Sequence, residues 1–162
     1  YARHWKTGEV ITAALVEKIK KSRQFNQGFA TVEYLAASLL DMDWHTLASG
    51  QQPDPIAFEK ASLARIDMPP EIVVRYRSQY FSLIFGPGGG YAAGYYSYIW
   101  SEVLDKDAFE AFKEKGLFDQ STAAAFRTLL EKGGSEEAMA LYKAFRGREP
   151  SIEPLLKARG LK

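Results

Sequence analysis

Residues 85–100 read FGPGGGYAAGYYSYIW, a glycine run that empties into four tyrosines and a tryptophan, and this stretch constrains the chain more than any other. Gly86, Gly88, Gly89 and Gly90 reach positive φ at little steric cost, while Pro87 fixes one torsion among them. The backbone here bends sharply or lies close to a ligand, and so forms a flexible loop delivering an aromatic face. Past Gly90 the sequence YAAGYYSYIWSEVL predicts a helix from Tyr91 to about Leu104. Tyr91, Tyr95 and Tyr98 then fall at spacings of four and three on one face. Phenols grouped in this way suit hydrogen bonding to a substrate carbonyl or to charge developing in a transition state. Tyrosines are equally ordinary core residues with wet tips. Tyr96 falls on a different face and reads as packing.

Several function classes are excluded by what the chain lacks. Gly-Gly-Gly-Tyr carries neither the lysine nor the Ser/Thr of a phosphate-binding loop, and no strand precedes it, so nucleotide binding is discarded. With 21 basic against 20 acidic residues the formal charge is +1, which leaves no electrostatic footprint for nucleic acid or an anionic membrane. The absence of cysteine removes disulfides and thiolate metal sites. No apolar run approaches the ~20 residues that span a bilayer. The start, YARHWKTGEV, is neither a signal peptide nor a normal initiation sequence, and predicts a truncated or cleaved chain.

Periodicity predicts an all-α chain of one domain, without repeats, low-complexity tracts or a clear linker. A first helix is expected over residues 8–24, with Val10, Ala13, Ala14, Val16 and Ile19 at helical spacing and lysines near its end. A second and more apolar helix follows Gly28, with Phe29, Val32, Leu35, Ala36, Leu39 and Leu40 on its buried side. A helix this apolar calls for partners on more than one face. Asp54 and Pro55 read as N-cap and first residue of a third helix reaching about Ile66, which Pro69 and Pro70 terminate. Residues 71–84 read as irregular. Residues 105–115 continue as a helix with Phe109 and Phe112 inward, closed by Gly116. Asp119 or Ser121 caps the next helix, which runs to Lys132. Ser135 opens the one after it, with Gly147 as its stop, and residues 151–159 make the last.

The histidines, His4 and His45, belong to no ligand spacing, and His45 at a helix end reads as a structural, hydrogen-bonded residue. The carboxylate pairs Asp41/Asp43 and Glu136/Glu137 read as caps and solvated faces.

Blocks spanning nearly the whole chain carry a resemblance: YARHWKTGE, FNQGFATVEYLAASLLDMDWH, GGGYAAGYYSYIWSEVLDKDAFEAFKEKG and FRGREPSIEPLLKARGL. In this order they resemble the C-terminal part of the zinc oligopeptidases of the thimet oligopeptidase family, on the side of the bacterial peptidyl-dipeptidase Dcp and oligopeptidase A. The resemblance implies a mostly helical, two-lobed peptidase with a deep channel for short peptides, whose H-E-x-x-H helix and third zinc ligand lie upstream of this sequence. The isolated chain is then expected to bind no zinc and to be inactive, and its partner is the upstream portion of the peptidase or a second copy of itself. A cytoplasmic location is implied, with the periplasm as the other option. By the same resemblance Tyr98 polarises the scissile carbonyl and stabilises the oxyanion, Tyr91 and Tyr95 face the bound peptide, and Gly89 and Gly90 let the backbone approach it. Leu83 stands where relatives carry a histidine, in a pattern like F-S-H-I-F-G-G-G-Y, and the glycine loop here is longer. Recognition of the substrate C-terminus by that histidine, and strict removal of dipeptides, therefore stay open. The alternative reading is a noncatalytic helical piece that acts only by associating with a partner chain.

Overall fold

Capping side chains set where four of the helices begin. In the computed structural model, which describes residues 2–162, Thr12 caps α1 (Ala13–Ser22) by accepting from the Leu15 N–H. Asp54 caps α3 (Pro55–Ala64) through the amides of Ile56 and Ala57, with α2 (Gln27–His45) before it. Residues 71–81 are irregular apart from a 3-10 turn at Ser78–Tyr80, and a single helical turn, α4 (Ser82–Phe85), leads into the glycines. Then come α5 (Ser97–Lys115), α6 (Gln120–Lys132), α7 (Ala138–Arg146) and α8 (Glu153–Ala158). Among the described residues the only strand-like pairing is an isolated antiparallel bridge between Arg3 and Val10. The fold is all-α, as expected.

The boundaries differ from the periodicity where a cap overrides it. Val10 pairs with Arg3 and precedes α1, whose start Thr12 sets. Glu137, not Ser135, opens α7, because its carboxylate reaches the amides of Met139 and Ala140. Gly147 ends that helix at φ +78, the left-handed geometry that suits glycine.

Asp119 is the cap of α6. It accepts from the Thr122 amide at 2.8 Å, the Thr122 hydroxyl at 2.7 Å and the Ser121 hydroxyl at 2.7 Å. The Ser121 hydrogen bond, followed by those of Thr122, holds its carboxyl at about 2, below the ordinary 3.8. A carboxylate depressed in the folded state contributes stability above its unfolded value, and that contribution is lost as pH falls through the folded one. The urea midpoint of the wild type is therefore expected to fall more steeply between about pH 4 and pH 2 than that of Asp119→Asn, which caps without titrating. Identical pH slopes in the two proteins would refute the assignment.

The chain divides into two compact units, Tyr1–Gln27 with Val103–Lys162, and Gly28–Glu102. In the first, Ala108, Ala111, Leu141, Tyr142 and Leu155 are buried. Phe126 meets Phe112 at 5.8 Å and Phe145 at 5.4 Å, which ties α6 to α7 and to the second half of α5. Phe112 is half-buried as expected, but Phe109 is 48% exposed beneath the Lys113 ammonium.

The second unit holds two apolar clusters. Ala37, Phe81, Ile84 and Tyr95 form one, flanked by Tyr34, Trp44, Tyr76 and Tyr91. Ala36, Leu40 and Val74 form the other, against Trp44, Phe58, Leu63, Ile66 and Met68. Trp44 belongs to both, and its ring lies 4.2 Å from that of Phe58. The buried face of α2 is thus not the expected one. Ala36 and Leu40 are inside, but Phe29, Val32, Leu35 and Leu39 are 38–49% exposed, and Met42 continues their stripe. The helix is apolar on two faces, and the one turned inward carries Tyr34, Ser38, Asp41 and Trp44, whose polar atoms all find partners there.

Candidate active site

The approach to the glycine loop is braced by a buried carboxylate. Glu59 on α3, 3% exposed, accepts from the Arg77 guanidinium at 2.8 Å and the Ser78 amide at 2.9 Å. The Ser78 hydroxyl in turn accepts from the Trp44 indole at 3.0 Å. These bonds fix the 3-10 turn from which Phe81 and Ile84 enter the core, and so fix where the glycines start. Gly88 and Gly89 take φ of +80 and +65, a region costly for any residue with a Cβ. Gly90 is helical at φ −52. A Cβ built on Gly88, Gly89 or Gly90 would meet nothing within 4 Å, so the loop borders open space.

The tyrosines are not on a helix from Tyr91, as the spacing predicts. Residues 91–96 form consecutive turns, Ala93 sits at φ +53, and α5 begins only at Ser97. The cause is tertiary. Asp41 of α2, 0% exposed, takes the Ala93 amide on Oδ1 at 3.0 Å and the Tyr95 amide on Oδ2 at 2.9 Å, leaving them no part in a helical ladder. Tyr34 adds a second tie, donating its hydroxyl proton to the Tyr95 carbonyl at 2.7 Å and accepting from the Ile99 amide at 3.1 Å.

The turns nevertheless bring the three rings together. Tyr91 stacks on Tyr98 with centroids 5.7 Å apart and planes 10° from parallel, and Tyr95 meets Tyr98 edge-on at 5.4 Å. Tyr95 is buried between Tyr34, Tyr76 and Phe81, and that burial, followed by the neighbouring phenol Tyr76, raises its pKa. Tyr98 is 48% exposed. A hydrogen bond with the Tyr91 phenol, and then partial desolvation, pushes its pKa up to about 12. It is therefore a neutral donor at any ordinary pH. Tyr96 is half exposed.

Asp41 and Asp43 are neither caps nor solvated. Asp43 accepts from the Ser62 hydroxyl at 2.5 Å and from Arg65 at 2.6 Å and 2.7 Å. His45 is a hydrogen-bonded structural residue at the end of α2, with Nδ1 2.8 Å from Asp41 Oδ1. Sequence reasoning missed Tyr34, Asp41 and Glu59. For the first two, a signal existed in a polar stripe at positions 34, 38, 41 and 45 running through an otherwise apolar helix. Among the described residues no three His, Asp or Glu side chains converge as a metal site, and no helix is long and apolar enough to cross a membrane.

The model of peptidase family M3 matches residues 1–161. The chain belongs to peptidase family M3. It is similar to the dipeptidyl carboxypeptidase of Salmonella typhimurium, 44% identical over 99% of this chain and 24% of that protein. The dipeptidyl carboxypeptidase of Escherichia coli is 42% identical over 99% and 24%. Oligopeptidase A of Escherichia coli is 38% identical over 98% and 23%. This family member spans about a quarter of the length of the curated relatives it matches.

Proposed function

We propose that residues 1–162 are the C-terminal part of the catalytic domain of a zinc metallopeptidase that hydrolyses short peptides, and that this part supplies the substrate-closing glycine loop and the oxyanion-stabilising tyrosines. The observation that carries the proposal is the convergence of Tyr91, Tyr95 and Tyr98 at the end of the glycine loop, with Tyr98 half exposed and its phenol neutral. Attack on a peptide carbonyl puts negative charge on its oxygen, and a phenol already in place stabilises that charge by donating a hydrogen bond without ionising. Tyr98 takes this role. Tyr91, which shares its hydrogen bond, and Tyr95, which packs against its ring, hold the donor and line the peptide. The open space over Gly89 and Gly90 suits a peptide backbone lying against them.

The described residues do not fit a zinc site. The proposal assigns zinc and its ligands to the portion of the relatives' length that this chain does not span. That same portion is the partner assigned to the apolar stripe of Phe29, Val32, Leu35, Leu39 and Met42 on α2, since an exposed apolar face of this kind marks an interaction surface. Leu83, largely exposed on α4, offers no donor to a peptide carboxylate, so the proposal places no recognition of the substrate C-terminus at that position.

The test uses two preparations, residues 1–162 alone and a family-length polypeptide containing them. The longer polypeptide is expected to cleave a quenched-fluorescence peptide and to carry zinc by metal analysis. The isolated chain is expected to do neither, and to sediment as an oligomer through the uncovered stripe. One equivalent of tightly held zinc in the isolated chain would overturn the assignment of the ligands. Absence of cleavage by the longer polypeptide would favour the noncatalytic, association-only alternative.

A further inference from the structure

We infer that Asp41, backed by His45, is the positioning residue of this site: its carboxylate holds residues 93–95 in the one conformation that presents Tyr98 next to Tyr91. The inference rests on the reading of Tyr98 as the donor and goes beyond it to what aims that donor.

The turns between Tyr91 and Ser97 support only some of their own amides. Ala92 donates to Gly89, Gly94 to Tyr91 and Ser97 to Gly94. The amides of Ala93 and Tyr95 donate instead to Asp41, one to each carboxylate oxygen, across 52 and 54 residues of sequence. A bidentate acceptor of two amides two residues apart fixes the torsions between them, and Ala93 lies there at φ +53 without being glycine. An unfavourable torsion of that kind persists only where the surroundings impose it. The carboxylate supplies the constraint, because a helical alternative would return both amides to the ladder and withdraw them from Asp41.

His45 completes the device. Its Nδ1 lies 2.8 Å from Asp41 Oδ1 and 2.9 Å from the Asp41 backbone carbonyl. Both oxygens are acceptors, so Nδ1 carries the proton and donates to them. Asp41 is one turn earlier on the same helix and wholly buried, so this third donor orients a carboxylate that water cannot reach. The consequence reaches Tyr98 through the backbone: the Tyr95 amide is itself held by the clamp and Tyr98 is in the first turn of α5. A turn released from the clamp lets Tyr98 shift against Tyr91, on whose ring it stacks at 5.7 Å. Such a displacement of a donor lowers the rate of the chemical step more than it lowers binding.

The test is made in the family-length peptidase with Asp41→Asn, which keeps the volume but turns an N–H group toward one of the two amides. Hydrogen–deuterium exchange of peptides covering 91–99 is expected to quicken, and kcat to fall by about tenfold with KM little changed. The same substitution in a Tyr98→Phe background is expected to lower kcat by less than about twofold, because the residue it aims is already gone. Should Asp41→Asn fail to fold, His45→Gln carries the test, with faster exchange over the same peptides and a smaller fall in kcat. Unchanged exchange at 91–99 would overturn the clamp. Quickened exchange with fully additive losses in the two backgrounds would overturn its action through Tyr98. If Tyr98→Phe alone leaves kcat intact, the reading of the donor fails, and exchange still decides whether the clamp exists.

Discussion

Tyr98→Phe in the family-length peptidase is expected to lower kcat on a short quenched-fluorescence peptide by on the order of 10²-fold, with a much smaller change in KM. The substitution deletes one oxygen and keeps the ring, so the 5.7 Å stack on Tyr91 and the edge contact with Tyr95 survive. What is lost is a neutral donor, held protonated by its hydrogen bond with Tyr91, at the place where the loop opens to solvent. Binding of the ground-state carbonyl needs that donor less than the oxyanion does, which puts the loss on kcat. Tyr96→Phe removes a hydroxyl from a half-exposed ring outside the Tyr91–Tyr98 and Tyr95–Tyr98 contacts and should cost little. Steady-state kinetics on both variants decides the matter. Wild-type kcat in Tyr98→Phe combined with a large loss in Tyr96→Phe would mean that the wrong face has been chosen.

Features set by local chemistry were legible in the sequence. Asp54 before Pro55, Asp119 before α6, and the glycines at 116 and 147 all stand where a cap or a left-handed stop needs them, because each needs only its own neighbours. The inward face of α2 was not legible. Phe29, Val32, Leu35 and Leu39 form the better apolar stripe, yet the Gly28–Glu102 unit turns the other face inward, where polar side chains reach distant partners. Apolar periodicity marks faces that avoid water but cannot rank two of them on one helix.

The tyrosine cluster divides in the same way. Residue type and spacing pointed to Tyr91, Tyr95 and Tyr98 meeting, but through a helix that does not form. Ala92 and Ala93 are good helix formers, and nothing nearby in sequence announces that Asp41 will take two of the amides. Long-range pairing of a buried acid with a turn is visible only once the fold exists. The same holds for Glu59, which reaches Arg77 and Ser78 from α3.

Asp107 shows what such a pairing is worth when it is removed. It lies on α5, 0% exposed, and accepts from the Tyr142 hydroxyl at 2.7 Å and from Arg148 at 2.6 Å and 3.2 Å, with Arg146 at 3.6 Å. Burial alone would raise its pKa, but the hydrogen bonds from Arg148 and Tyr142 and the two guanidinium charges reverse that and hold it below the ordinary range. Arg146 has a second partner in Glu114, at 2.7 Å and 2.9 Å, whereas the buried Tyr142 hydroxyl keeps only a long contact to the Leu104 carbonyl at 3.4 Å. Asp107→Ala therefore leaves a buried phenol poorly satisfied and two cations without their common anion. Breaking one side of a buried pair costs about 3–5 kcal/mol, and because Arg148 is partly exposed and able to return to water, about 3 kcal/mol is expected. The exposed pair of Arg127 and Glu131 is the control: Glu131→Gln should change stability by less than about 0.5 kcal/mol. Because Asp107 is depressed in the folded state, its contribution is present at neutral pH and fades as pH falls below the ordinary carboxylate value, so the difference between wild type and Asp107→Ala should shrink in acid. Urea denaturation at pH 7 and pH 3 reads both effects. An Asp107→Ala protein as stable as Glu131→Gln at pH 7 would show that the cluster contributes no more than a surface ion pair.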